Sequence, residues 1–212
     1  MKTCYIVCAL DCKVDISLEN DDLLIGADRG YFTLVKNGFE PNVAIGDFDS
    51  YTGEIDCEKT IKFPVKKDYT DSALAIEYAI QNGYDKIVVY GGIGGALDHT
   101  MANISLASQY AKKGIELSFV DGENVLFAIH NSGVTFSEEC KGRISVFSAD
   151  DIAEGVTEKG LLYALDNATL YSTIPLGVSN EFTGEKAMIS VKNGTLFIYT
   201  SKNNFANLLT RA

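Results

Sequence analysis

Histidine, basic charge and long apolar runs are all scarce in this chain. Only His99 and His130 occur in 212 residues, which excludes a histidine-rich zinc site. Lys and Arg number 18 against 29 Asp and Glu, a net charge of −11. Nucleic-acid binders need a basic footprint to displace counterions, so this balance argues against such a partner. No apolar run approaches the ~20 residues of a membrane-spanning helix, and no membrane association is expected. The opening stretch, Met1-Lys2-Thr3-Cys4-Tyr5-Ile6-Val7, reads straight into a strand, without the apolar core and cleavage site of a signal peptide. The expectation is a cytoplasmic protein. Its five cysteines, Cys4, Cys8, Cys12, Cys57 and Cys140, are odd in number and contain no C-x-x-C pair. The four-residue spacing of the first three suits one face of a helix, but a strand there divides them between faces. Reduced, structural cysteines are the expectation.

What is present is a sequence of ordinary globular composition, 46% hydrophobic and 22% charged. Up to about residue 123, short apolar runs alternate with helical patterns, the signature of a mostly parallel sheet. Candidate strands are Tyr5–Cys8, Leu23–Gly26, Val43–Ile45, Ile61–Phe63, Ile87–Tyr90 and Leu117–Val120. Thr70 caps an expected helix from Asp71 to Gln81, with Gly83 just beyond its end. A second helix is expected from near Asp98 to Lys112 and Lys113, with Gly114 as its stop. From residue 124 to 212 short strands follow one another without a long helix: Val125–Ile129, Arg143–Phe147, Leu161–Leu165, Ala187–Val191 and Thr195–Tyr199. This reads as a β-sandwich, with Asn193-Gly194 as a hairpin turn. The fold class is therefore an α/β domain, residues 1–123, followed by a β-sandwich domain, residues 124–212.

The acids fall at telling places. Asp28 follows the second strand in Ala27-Asp28-Arg29-Gly30, and Asp47 and Asp49 follow the third in Gly46-Asp47-Phe48-Asp49-Ser50. Lys67, Asp68, Thr70 and Asp71 follow the fourth; Gly91, Gly92, Gly94, Gly95 and Asp98 follow the fifth. Open α/β sheets place their ligand crevice at these strand ends. Any one aspartate suits a helix cap or turn equally well. Together on one rim they would repel one another unless a cation lies between them, and magnesium is the hard, oxygen-seeking choice. In an extended Asp47-Phe48-Asp49 both carboxylates face one way and meet one ion, although a polar turn is the plain alternative. The glycine loop either cradles phosphate on backbone N–H groups or simply turns the chain. It is neither a Walker A loop nor a dinucleotide fingerprint. His99 either donates to phosphate, orients Asp98 or sits idle in the helix.

In order along the chain, these motifs resemble those of the thiamin pyrophosphokinase family. The matching stretches are Ala27-Asp28-Arg29-Gly30, the run from Pro41 to Ser50, Lys67-Asp68-Tyr69-Thr70-Asp71, the run from Gly91 to His99, and Gly177-Val178-Ser179-Asn180-Glu181-Phe182. The resemblance implies magnesium-dependent transfer of pyrophosphate from ATP to the thiamin hydroxyl, giving thiamin diphosphate and AMP in a homodimer with active sites between subunits. By that analogy Asp28, Asp47, Asp49 and Asp71 hold magnesium and Asp98 joins them in catalysis. Arg29, Lys67, Asp68, Thr70, Gly92, Gly94, Gly95 and His99 serve the ATP side, and Ser179 and Asn180 meet thiamin. Two departures stand out: Ala96 replaces the arginine common in the family's glycine loop, and with no tryptophan any stacking on thiamin falls to Phe or Tyr, Phe182 being a candidate. The alternatives are a pyrophosphokinase for another hydroxymethyl heteroaromatic such as a pterin, a metal-dependent phosphohydrolase, and a non-catalytic Mg-ATP sensor.

Overall fold

The structure, a computed structural model, describes residues 2–48, 55–64 and 68–211. It separates into two compact units, residues 1–106 with 117–122, and residues 107–116 with 123–212. Among the described residues, no helix is long and apolar enough to cross a membrane.

The first unit runs β1 (Thr3–Val7), β2 (Leu23–Ala27), α1 (Gly30–Lys36), β3 (Val43–Gly46), β4 (Lys59–Lys62), α2 (Asp71–Gln81), β5 (Lys86–Tyr90), α3 (Leu97–Ala111, which ends in the second unit) and β6 (Glu116–Asp121). The strand order is β6-β5-β1-β2-β3-β4, with β5, β1, β2, β3 and β4 parallel. Ile6, Ile25, Ile45 and Val89 are fully or almost fully buried, as expected where both faces of a parallel sheet are covered. β4 is the edge strand, and Lys59 and Lys62 leave it exposed and charged, which discourages pairing with another chain. α2 begins and ends where the sequence places it. The Thr70 hydroxyl accepts from Ala73 N at 3.2 Å, Ala73 and Ile76 are buried, and Gly83 closes the helix at φ 79. α1 is a helix that the sequence reading does not anticipate, because seven residues carry too little periodicity.

The topology fixes the site. β1 has β2 on one side and β5 on the other: the chain runs outward from β1 through β2 and β3 to β4, then crosses back to lay β5 on the far side of β1. At such a switch point the connections diverge and open a crevice beyond the strand carboxyl ends.

The second unit contains β7 (Asn124–His130), β8 (Gly133–Phe136), β9 (Arg143–Ser148), β10 (Ile152–Lys159), β11 (Leu165–Tyr171), β12 (Asn180–Glu181), β13 (Ala187–Ser190), β14 (Thr195–Ser201), α4 (Lys202–Ala206) and β15 (Leu208–Arg211). Its strands form two antiparallel sets, β12-β9-β14-β7 and β11-β10-β13-β8-β15. Two expectations are corrected. Asn193-Gly194 is not a hairpin turn, because β13 pairs with β10 and β8 whereas β14 pairs with β7 and β9. It carries the chain from one sheet to the other, anchored by Glu154 N donating to Asn193 O at 2.8 Å. Nor is Leu161–Leu165 a strand. The Asn180 side chain occupies the Tyr163 backbone, accepting from its N–H at 2.9 Å and donating to its carbonyl at 2.8 Å, and the ladder starts only at Leu165.

Candidate active site

The loop after β2 is forced against the end of β1. A Cβ on Gly30 would stand 1.8 Å from the Val7 carbonyl oxygen, so only glycine fits there. Asp28 consequently turns through left-handed backbone, φ 50, an uncommon state for a residue with a side chain. Its N–H donates to Ile45 O at 2.7 Å, and its carbonyl accepts from Tyr31 N at 3.2 Å. The loop after β5 is held in the same way: Cys8 N donates to Tyr90 O at 2.8 Å, and Gly91 has φ 66, where a Cβ would stand 2.6 Å from the Leu10 carbonyl oxygen.

A relay of polar side chains then ties the two helices to the glycine loop. Thr70 Oγ1 and Ser72 Oγ share a hydrogen bond at 2.9 Å, Ser72 Oγ donates to Asn103 Oδ1 at 2.8 Å, and Asn103 Nδ2 donates to the Gly92 carbonyl. Ser72 and Asn103 are buried, and such groups fix geometry only when each finds its partner.

These segments enclose a cavity of about 330 Å³, lined by Asp28, Thr70, Asp71, Gly92, Gly95 and His99 among others. Ala96 lines it as well, and no Lys or Arg does among the described residues. The remaining expected residues lie elsewhere. Arg29, Asp68, Asp98 and Gly94 are exposed and do not line the cavity, and Asp98 Oδ1 accepts from His99 N at 2.8 Å. Asp47 is half-buried at the end of β3, while Asp49 and Lys67 lie outside the described residues. The extended path expected through Asp47 and Phe48 is corrected: Phe48 has φ 53 and packs inward with Tyr31 and Ala44.

The sequence reading missed Ser72, Thr100 and Asn103. A signal exists in the four-residue spacing of His99 and Asn103, which puts both on one face of a helix that starts at the glycine loop. Cys8 also lines the cavity, but burial pushes its thiol up to about 12, so it stays protonated and is no nucleophile.

Among the described residues, no three His, Cys, Asp or Glu side chains stand together as a metal cage. The cavity instead offers the two carboxylates of Asp28 and Asp71. One or two carboxylates, completed by substrate phosphate oxygens and water, make the donor set that magnesium prefers. The residues present fit that ion.

In the second unit Ser179 is exposed and left-handed, φ 59, and its N–H donates to Ser145 Oγ at 3.0 Å. Asn180 is 4% exposed, with all its amide capacity in use. Oδ1 accepts from Tyr163 N and Glu181 N, and Nδ2 donates to Tyr163 O and to Glu158 Oε2. Phe182 is core, edge-on to Phe136 at 5.3 Å between centroids.

Residues 14–119 match the family described as thiamin pyrophosphokinase, catalytic domain, and residues 134–196 match thiamin pyrophosphokinase, vitamin B1 binding domain. The chain belongs to the thiamin pyrophosphokinase family. The two matched segments cover the rim residues of the first unit and the Ser179-Asn180 loop of the second. A thiamine pyrophosphokinase of Bacillus subtilis is 30% identical over 84% of this chain and 87% of its own length. Thiamin pyrophosphokinase 1 of Caenorhabditis elegans is 25% identical over 77% of this chain and 71% of that protein. Among solved structures, a thiamine pyrophosphokinase from Bacillus subtilis superposes with a TM-score of 0.82 at 28% identity, covering 94% of this chain and 98% of that one. Neither a pterin kinase nor a sensor is favoured by membership of the thiamin pyrophosphokinase family.

Proposed function

We propose that this chain transfers the β,γ-pyrophosphoryl group of ATP to the hydroxyl of thiamin, with magnesium as the metal. The observation that carries the reading is the cavity at the β1 switch point, where Asp28 and Asp71 share one space with the glycine loop. A thiamin oxygen attacks the β-phosphorus as the bond to the α-phosphate oxygen breaks, so AMP leaves. That chemistry needs no covalent enzyme intermediate; it needs positioning and charge neutralisation. Asp28 and Asp71, with Asp47 and Asp49 as the further carboxylates that the sequence assigns to the ion, would hold magnesium, which would supply that neutralisation. Gly92, Gly95 and Thr70 border the phosphates, and the Ser72–Asn103 relay keeps that border rigid. Asp98 Oδ1 accepts from His99 N in the first turn of α3, and His99 lines the cavity beside the glycine loop.

The second unit, read as a β-sandwich, binds thiamin through the Ser179-Asn180 loop and meets a second copy to form a homodimer. Leu162, Tyr163, Ile174, Leu176 and Val178, each about half exposed or more, support an apolar contact surface there. A cytoplasmic location fits the free cysteines. The test is product analysis with Mg-ATP, with and without thiamin and with a chelator. AMP and thiamin diphosphate appearing together, only with metal, sustain the proposal. AMP formed equally without thiamin would sink it.

A further inference from the structure

Glu158 is the least expected residue of the second unit. It lies on β10 two positions after Val156, on the inward phase of the strand, and is only 1% exposed. A carboxylate in such a place normally finds partners for both oxygens. Here Oε2 accepts from Asn180 Nδ2 at 3.0 Å, while Oε1 is buried with no hydrogen-bond partner.

Glu158 lines a cavity of about 250 Å³ whose other walls are Tyr163, Leu165, Leu176, Gly177, Val178 and Asn180. Tyr163, Leu176 and Val178 are 67%, 61% and 47% exposed, so the cavity opens outward between apolar side chains. A concave apolar site with one oriented polar group is the usual design for holding a flat organic ring. The space suits a single substituted ring. The polar end selects a ring edge bearing an N–H donor.

We infer that Glu158 is a specificity-determining residue, its Oε1 accepting an N–H of a heteroaromatic amine seated in this cavity. The inference rests on the thiamin reading of the second unit, and the aminopyrimidine ring of thiamin has that edge. Asn180 is then a positioning residue: its amide, already saturated by the protein, holds Glu158 Oε2 and the Tyr163 backbone so that Oε1 faces the ligand. Burial pushes the Glu158 carboxyl up to about 7, the state of a group awaiting a partner that would favour its charge.

The experiment compares wild type, Glu158→Gln and Glu158→Leu by titration with thiamin and by steady-state kinetics, with thermal unfolding alongside. Glu158→Leu is expected to weaken thiamin binding about tenfold or more, the scale of a lost hydrogen bond to a charged group. Its KM for ATP should stay unchanged and its melting temperature should be equal or higher, because a buried carboxyl has gone. Glu158→Gln should fall between the two, since its amide keeps the Asn180 bond. A purely structural Glu158 would lower stability and binding together. If wild type binds thiamin and Glu158→Leu binds it equally well, the inference is overturned while the function stands. If wild type fails to bind thiamin, the function itself fails, and the inference with it.

Discussion

Ser72 Oγ donates to Asn103 Oδ1 at 2.8 Å, and this one bond joins the start of α2 to the middle of α3 beside the glycine loop. Because Asn103 passes the connection on to the Gly92 carbonyl, two helices and a loop share a single buried anchor. Asn103→Ala strips the Gly92 carbonyl of its side-chain donor and leaves Ser72 Oγ with Thr70 Oγ1 alone. We expect a loss of about 1–3 kcal/mol in urea unfolding, together with a higher KM for ATP from the slackened loop. Unchanged stability and KM would show that the relay positions nothing.

Asp71→Asn keeps a side chain of the same shape in the first turn of α2, where Thr70 still caps the helix. The fold should therefore survive, with an unaltered circular dichroism spectrum. AMP formation should fall by roughly a hundredfold or more, as expected for a lost group that offsets charge at a transferring phosphate. Near-normal turnover would remove Asp71 from the site.

Ala96 stands on the cavity wall with no Lys or Arg beside it among the described lining residues. Ala96→Arg should lower the KM for ATP several-fold, most clearly at low ionic strength where exposed charges are least screened. An unchanged KM at every salt concentration would mean that the phosphates lie away from residue 96.

Glu158 predicts a pH signature in stability. Its folded carboxyl is raised from 4.5 to about 7 by burial, so burial penalises only the charged form. Below about pH 4.5 folded and unfolded chains are both protonated and no penalty exists. Between about 4.5 and 7 the unfolded chain ionises first and stability falls as pH rises; above 7 the full penalty applies. Glu158→Gln should match wild type near pH 4 and exceed it above pH 7 by up to roughly 3 kcal/mol. A difference independent of pH would contradict the raised carboxyl.

Much of the first unit was legible because its signals are local. Thr70 and Gly83 bound α2 to the residue, and the buried parallel strands read as short apolar runs ending in acids. Those strand ends also exposed Asp28, Thr70 and Asp71, which the fold brings to one cavity. The second unit was less legible because its pairings are not local. Asn193-Gly194 looks like a hairpin in sequence, yet its flanking strands belong to different sheets, a choice made by distant partners. Asn103 and Glu158 carry polar chemistry at inward positions, where one sequence cannot tell a satisfied core group from a working one. Only their partners distinguish them: a complete relay for Asn103, an orphan oxygen for Glu158.

The most direct test of the central claim follows the phosphorus atoms themselves. ATP labelled at the β- or the γ-phosphate is incubated with thiamin and magnesium, and the labelled products are separated. Both labels should enter thiamin at the same rate, with unlabelled AMP as the other product. Transfer of the γ-label alone, with labelled ADP left behind, would contradict pyrophosphoryl transfer as the reaction of this cavity.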